Sequence, residues 1–350
     1  MQAIERLIEI WREDELMLPI WWEQGEVCLI DQKKLPFELI TVRIQDVHGI
    51  AQAISDMTIR GSGAIGITGA YGMLLASRQP GVTYDDMQET ARLLIATRPT
   101  AINLSKTINE VLEACASDKS HLAEVVETSV ISILQRQLAF EKKLGAYGAE
   151  IINNHDSILT HCHSGAFAGS GFGGRALSVI RSAFMQHKDI HVFVSETRPY
   201  LQGARITAYE LDRLHIPYTV ITDSTSGFLM QSGRIQKVVV GSDRVASNGD
   251  LINKIGTYMH AIAANYHHIP FYTATSSHTI DFSLPTGNDC EIEYRDGHEL
   301  TQINGVPITL PSSQVLYPAF DITPHVLLAG IITEKGVVHA PFLTNLQTLR

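Results

Sequence analysis

The sequence predicts an α/β chain in two parts. A helical N-terminal domain carrying a small β-sheet spans residues 1–150, and a parallel-sheet domain spans residues 151–350. Three observations predict it. Short apolar runs separated by turn residues cluster near the start. Helical periodicity then dominates to about residue 152. From Ser157 onward, apolar strands alternate with helix-period segments. That last rhythm argues a parallel sheet covered on both faces, because parallel neighbours need a crossover connection, usually a helix.

Taken in order, residues 18–22, 27–30 and 38–42 read as strands, with Gly25 and Pro36 in the turns between them. Residues 46–57 read as a helix capped by Asp46. Residues 64–77 carry small residues along one side, which suits close helix packing. Residues 84–97 are amphipathic and end at Arg98-Pro99, since a residue before proline is pushed out of the helical region. Residues 105–116 and 121–152 continue the helical pattern. Strands follow at 157–161, 190–194, 218–221, 238–241 and 271–274. Helices are expected between them at 175–186, 204–214, 226–231 and 258–266.

Composition narrows the function. With 45% hydrophobic and 18% charged residues over 350 positions, the chain can bury a large core. A formal charge of -10 argues against general attraction to nucleic acid or to an anionic membrane. The four cysteines are scattered and form no CxxC, so neither a disulfide framework nor a structural zinc site is indicated. The start of the chain lacks a signal-peptide design, and the apolar stretch at 64–76 is too short and glycine-rich to span a bilayer. A cytoplasmic protein is the expectation.

The chemistry concentrates at two strand ends. Ser157-Ile-Leu-Thr-His-Cys-His-Ser-Gly165 is an apolar run that stops at a thiol, Cys162. Lys237-Val-Val-Val-Gly-Ser-Asp-Arg244 is another that stops at a carboxyl, Asp243. In parallel α/β sheets ligands bind outside the carboxyl ends of the strands, so the two groups can face one small molecule. Most cysteines are inert buried hydrophobes, but this one sits at a strand end before a glycine-rich loop. By strand alternation His161 and His163 point away from it. As a general acid, Asp243 requires apolar surroundings, which Val238 to Val240 would supply and Arg244 would oppose. As a bland residue it would be a cap or an ion-pair partner. Asn253-Lys254, placed at the start of the following helix, can clamp a sugar or phosphate.

Two glycine-rich segments admit two readings each. Gly169-Ser-Gly-Phe-Gly-Gly174 matches GxGxxG between a strand and a helix, with Glu196 further on, which is the dinucleotide pattern in outline. Its distance from the strand end favours an anion-cradling or merely flexible loop, and a dehydrogenase is the weaker alternative. Arg60-Gly-Ser-Gly-Ala-Ile-Gly66 opens a helix whose amides and dipole can hold a phosphate; equally, its glycines can simply permit tight packing.

Taken jointly and in order, several segments resemble the aldose-1-phosphate isomerases related to methylthioribose-1-phosphate isomerase. They are the segment from Arg60 to Gly66, Thr160-His-Cys-His-Ser-Gly165, Glu196-Thr-Arg-Pro-Tyr-Leu-Gln-Gly-Ala-Arg205, Gly241-Ser-Asp-Arg244, Asn248-Gly-Asp250, Asn253-Lys-Ile-Gly-Thr257, Thr279-Ile-Asp281 and Pro318-Ala-Phe-Asp-Ile-Thr-Pro324. The resemblance implies a Rossmann-like C-terminal domain, a homodimer, and neither redox cofactor nor metal. It implies that Cys162 and Asp243 are the catalytic pair, and that Arg60, Gly61, Ser62, Arg98, Gln202, Asn253 and Lys254 bind substrate. Ser62-Gly63 and His163-Ser164 depart from the family's usual residues, as does the richness in glycine of the loop after Cys162.

The reaction so implied converts a 5-substituted ribose 1-phosphate to the ribulose 1-phosphate, with 5-methylthioribose 1-phosphate as first expectation and a place in methionine and 5'-deoxynucleoside salvage. The alternatives are 5-deoxyribose 1-phosphate or ribose 1,5-bisphosphate as substrate. A further alternative is a non-catalytic role like that of the related regulatory subunits of the translation-initiation exchange factor.

Overall fold

The computed structural model describes residues 3–99, 101–303 and 305–350. The chain divides into two compact units. The first is Met1–Lys142 with Gly165–Gly174; the second is Lys143–Ser164 with Arg175–Arg350. The ten-residue glycine-rich segment thus groups with the earlier part of the chain.

In the first unit, helix α1 (Ala3–Glu13) precedes strands β1 (Ile20–Glu23), β2 (Glu26–Ile30) and β3 (Thr41–Ile44), which form an antiparallel sheet in the order β1-β2-β3. Helices α2 (Val47–Ser55), α3 (Ser62–Ser77), α4 (Tyr84–Ala96) and α5 (Ile102–Ser117) follow, and α6 (Leu122–Ala149) contains the boundary. Asp46 caps α2 as its sequence predicts, its side chain accepting from the Gly49 amide at 2.9 Å. Helix α3 is buried from Ala64 to Ser77, so it has no polar face. Its glycines explain how neighbours come so close: a Cβ on Gly69 would lie 2.7 Å from a Leu104 methyl, and one on Gly72 2.8 Å from a Leu94 methyl.

The second unit is built on a seven-stranded sheet. Its strands include β4 (Ser157–Thr160), β5 (His191–Ser195), β6 (Tyr218–Ile221) and β7 (Lys237–Val240), with α7 (Ala176–Met185), α8 (Ala208–Arg213) and α9 (Thr225–Gln231) between them. After β7 come strands β8 (Arg244–Ala246) and β9 (Leu251–Lys254), helix α10 (Thr257–Tyr266), and strand β10 (Phe271–Ala274). Farther on lie β11 (Ile280–Asp281), α11 (His298–Thr301), β12 (Gln302–Ile303), β13 (Val306–Pro307), β14 (Phe320–Thr323), β15 (Gly330–Thr333), β16 (Gly336–Val338) and α12 (Phe342–Asn345). The large sheet runs β16-β15-β10-β7-β4-β5-β6, parallel throughout except for the β15/β16 hairpin. This is a doubly wound order: the chain builds outward through β5 and β6, then returns to the other side of β4 with β7. A second sheet, β11-β8-β9-β14, is built from segments outside the strands expected above. No helix among the described residues is long and apolar enough to cross a membrane.

Candidate active site

The order of winding reverses between β4 and β7, and at such a point adjacent connections leave on opposite faces and open a crevice. Both predicted reactive groups stand at that point. Leu159 is in register with Val238 across the β4/β7 ladder, so Cys162 and Asp243 follow the carboxyl ends of two adjacent central strands.

Cys162 is half-buried and sits at φ 67°, in the left-handed region. A side chain there costs about 1–3 kcal/mol unless the surroundings hold it. Three contacts do so. Its amide donates to Thr197 Oγ1 at 2.9 Å, its carbonyl accepts from Thr207 Oγ1 at 2.8 Å, and its sulfur lies 3.2 Å from Gln202 Nε2. Thr197 is itself at φ 62°, unusual for a β-branched residue, and is held by the Asp223 carboxylate, which accepts the amides of Thr197 and Arg198, each at 2.8 Å. Gln202 is buried, and its Oε1 has no hydrogen-bond partner. The flanking histidines spend their rings elsewhere: His161 contacts Ser195 and the Ile255 carbonyl, and His163 lies 2.7 Å from the buried Glu210 carboxylate.

Asp243 corrects one expectation. It is exposed, and the valines before it are buried within the sheet, so its carboxyl lacks the apolar setting that the strand pattern promised. Arg244, the neighbour that would oppose protonation, is engaged by Asp281 Oδ2 at 3.7 Å. The backbone here is well held: the Asp243 amide donates to the Ile252 carbonyl at 3.1 Å, and Arg175 reaches the Ser242 carbonyl at 2.9 Å and Thr279 Oγ1 at 3.0 Å.

Asn253 and Lys254 do not open a helix; they end strand β9. Because β9 pairs with β8, they lie beside the turn that carries Asp243. Asn253 Nδ2 donates to Thr257 Oγ1 at 3.0 Å, and the buried Lys254 ammonium donates to the Ala319 carbonyl at 2.9 Å over the Phe320 ring. The amides at the start of α10 are already taken: Asp321 accepts from Gly256 at 2.7 Å and from Tyr258 at 3.1 Å. Burial, opposed by those two amides, raises the Asp321 pKa to about 6.

Arg60, Gly61, Ser62 and Arg98 belong to the first unit. Gly61, at φ 98°, is the N-cap of α3, and a Cβ there would fall 2.4 Å from the Ala168 backbone. Asn103 Nδ2 donates to Ser62 Oγ. The tight-packing reading of this glycine run is therefore visible in the geometry. Arg60 and Arg98 are half-buried, Arg98 just past the end of α4.

The glycine-rich segment has an internal occupant. Glu141 of α6 is fully buried, and its carboxylate accepts amides from Ser170, Phe172, Gly173 and Gly174, the last three at 3.1, 3.2 and 3.1 Å. A Cβ on Gly169 would strike Glu141 Oε1 at 2.1 Å. Burial pushes this carboxyl's pKa up, and the converging amides oppose the rise. The loop does cradle an anion, as one reading held, but the anion is a side chain of the same chain. The amides that a pyrophosphate would need are spent, which removes the footing of the dinucleotide reading. Glu141→Ala leaves four buried donors without an acceptor, at about 1–3 kcal/mol for each group left unpaired. We expect a loss of more than about 3 kcal/mol, read from the urea midpoint, with Glu141→Gln falling between. A midpoint unchanged in the alanine variant would contradict this account of the loop.

Sequence reading missed Thr197, Thr207 and Asp223, which hold Cys162 in place, and the buried His161–His260 pair. Asp223 had a usable signal, since it follows β6 at the same strand-end position that drew attention to Cys162 and Asp243.

With this geometry established, comparison places the chain among known proteins. Residues 58–340 match the Initiation factor 2 subunit family. The chain is 44% identical over 339 residues to a methylthioribose-1-phosphate isomerase of Chloroflexus aurantiacus, covering 94% of this chain and 97% of that protein. It is 43% identical over 335 residues to one of Thermosipho africanus, covering 94% and 96%. Among solved structures, it is similar to 5-methylthioribose 1-phosphate isomerase from Pyrococcus horikoshii OT3, with a TM-score of 0.92 and 34% identity over 96% of each chain. It is also similar to the translation initiation factor eIF-2B subunit delta of A. fulgidus, with a TM-score of 0.89 and 36% identity over 95% of this chain and 99% of that one.

Proposed function

Since this chain belongs to the Initiation factor 2 subunit family, and within it to the methylthioribose-1-phosphate isomerases, we propose that it converts 5-methylthioribose 1-phosphate to the corresponding ribulose 1-phosphate. The observation that carries this reading is the placement of Cys162 and Asp243 beyond adjacent strand ends at the reversal point of the sheet, with Gln202 on the sulfur.

A sugar 1-phosphate cannot open by ordinary mutarotation, because its anomeric oxygen is esterified. The bond from C1 to the ring oxygen must break with the phosphate in place. Asp243 in its neutral form gives a proton to the ring oxygen as that bond breaks, and the bonding pair stays with the oxygen. Cys162 as a thiolate takes the C2 proton, leaving a C1–C2 double bond. The C2 hydroxyl then returns its proton to Asp243, while the thiol returns a proton to C1, giving the ketose and restoring both groups. In the other route hydrogen passes from C2 to C1 as hydride, and Cys162 stabilises the transition state. Deuterium at C2 separates the two: loss to solvent marks the thiolate route, and full retention at C1 marks the shift.

Gln202 Oε1 is a buried acceptor that a sugar hydroxyl would satisfy. Arg60, the amides of Gly61 and Ser62, and Arg98 are substrate-binding residues in this reading, the arginines for their fit to phosphate oxygens, with Asn253 and Lys254 as the other contributors. The protein acts in the cytoplasm as a homodimer; a stripe of exposed apolar residues on α10, Tyr258, Met259, Ile262 and Tyr266, supports an interface. The likeness to an initiation-factor subunit offers a non-catalytic alternative, which the retained Cys162 and Asp243 disfavour.

The test is incubation of the purified protein with 5-methylthioribose 1-phosphate, 5-deoxyribose 1-phosphate and ribose 1,5-bisphosphate, with ketose formation followed directly. Turnover is expected with all added metal and cofactor omitted, and the highest kcat/KM with the methylthio sugar. Preference for 5-deoxyribose 1-phosphate would reassign the substrate, and turnover of none would favour the non-catalytic reading.

A further inference from the structure

Directly behind Cys162 lies a buried cluster that the proposed reaction does not use. His161 Nδ1 is 3.2 Å from His260 Nε2 and 3.9 Å from Asp223 Oδ1, and the three ligating atoms lie within 4.8 Å of one another. Ser195 Oγ completes the group, 3.1 Å from His161 Nδ1 and 3.4 Å from His260 Nε2, and it donates to Asp223 Oδ1. Both imidazoles are fully buried, while the Asp223 side chain retains 21% exposure, which gives an entry path.

The proton count around the cluster is informative. His161 Nε2 lies 2.9 Å from the Ile255 carbonyl, which can only accept, so that nitrogen carries the hydrogen and Nδ1 is bare. In the tautomer where Ser226 Oγ donates to the Asp223 carbonyl at 3.0 Å, it accepts from His260 Nδ1 at 2.8 Å, which leaves His260 Nε2 bare as well. Thr197 Oγ1 donates to the Ser195 carbonyl at 3.0 Å. With every hydroxyl hydrogen given to an oxygen, two bare imidazole nitrogens and a carboxylate converge with no positive charge among them.

We propose that His161, Asp223 and His260, with Ser195 Oγ or a water as fourth ligand, form a binding site for a divalent transition-metal ion of the zinc class. Bonds of about 2.0–2.1 Å in tetrahedral geometry put neighbouring ligand atoms about 3.3 Å apart, close to the observed nitrogen separation. Two imidazoles and a carboxylate suit zinc, cobalt or nickel over calcium or magnesium. The outer contacts are those of a metal site, each ring donating its other N–H to a carbonyl or hydroxyl. This goes beyond the isomerase reading and departs from the family resemblance, which implies no metal. The ion would brace the site without touching substrate: His161 adjoins Cys162, and Asp223 holds the turn whose Thr197 fixes the Cys162 amide.

The test uses the intact protein, stripped with a chelator and titrated with Zn2+ against a chromophoric competitor, and separately with Co2+. One equivalent per chain is expected, with the intense visible bands of four-coordinate cobalt. His260→Leu and Asp223→Asn, both checked for folding by circular dichroism, should each weaken Zn2+ binding by more than about 100-fold. The proposal is overturned if micromolar Zn2+ does not bind stoichiometrically, if cobalt gives only the pale spectrum of a six-coordinate ion, or if binding survives in His260→Leu. Absence of binding would mean that His260 Nε2–H donates to His161 Nδ1 and closes the pair without an ion. None of these readings uses substrate, so their failure leaves the isomerase proposal standing.

Discussion

Cys162→Ala is expected to lower kcat by about 10²–10⁴-fold, the range for loss of a positioned proton-transfer group, while KM changes little. The split follows from the geometry. The sulfur meets Gln202, but the left-handed turn is fixed by main-chain contacts from Thr197 and Thr207, which alanine keeps. The binding surface should therefore survive the substitution. Steady-state kinetics on the methylthio sugar measures the effect. A kcat within a few-fold of the unsubstituted protein would remove Cys162 from the mechanism.

Asp243→Asn is expected to cost a similar factor, about 10²–10⁴ in kcat, because the amide cannot protonate the ring oxygen. The exposure of Asp243 sharpens this prediction. Bound sugar must therefore displace water from the carboxyl before a proton can pass to the ring oxygen. Steady-state kinetics on the methylthio sugar should show the loss in kcat, with KM changed less. Full turnover in this variant would assign the acid elsewhere.

The strand runs ending at Cys162 and Asp243 were legible because a parallel strand buried on both faces must be a continuous apolar run, as Val238 to Val240 is. The Asp46 cap and the small-residue side of α3 were legible for equally local reasons. The β8/β9 hairpin was not. Leu251–Lys254 is four residues ending in an amide and a cation, and it is a strand only because Arg244 and Phe320 lie opposite it from either side. Its register depends on β14, more than sixty positions away. The same nonlocality hid β15, which pairs with β10. The His161–His260 pair needs β4 and α10 brought together, and no spacing rule predicts that. Glu141 was invisible for the opposite reason: a lone glutamate within a long helix reads as a solvated position until the chain folds back over it.

That glutamate decides how the turn at 169–174 behaves over time. Here the counter-ion is tethered by its own helix and cannot diffuse away. The turn should hold its shape whether or not any ligand is bound, as a permanent part of the first unit.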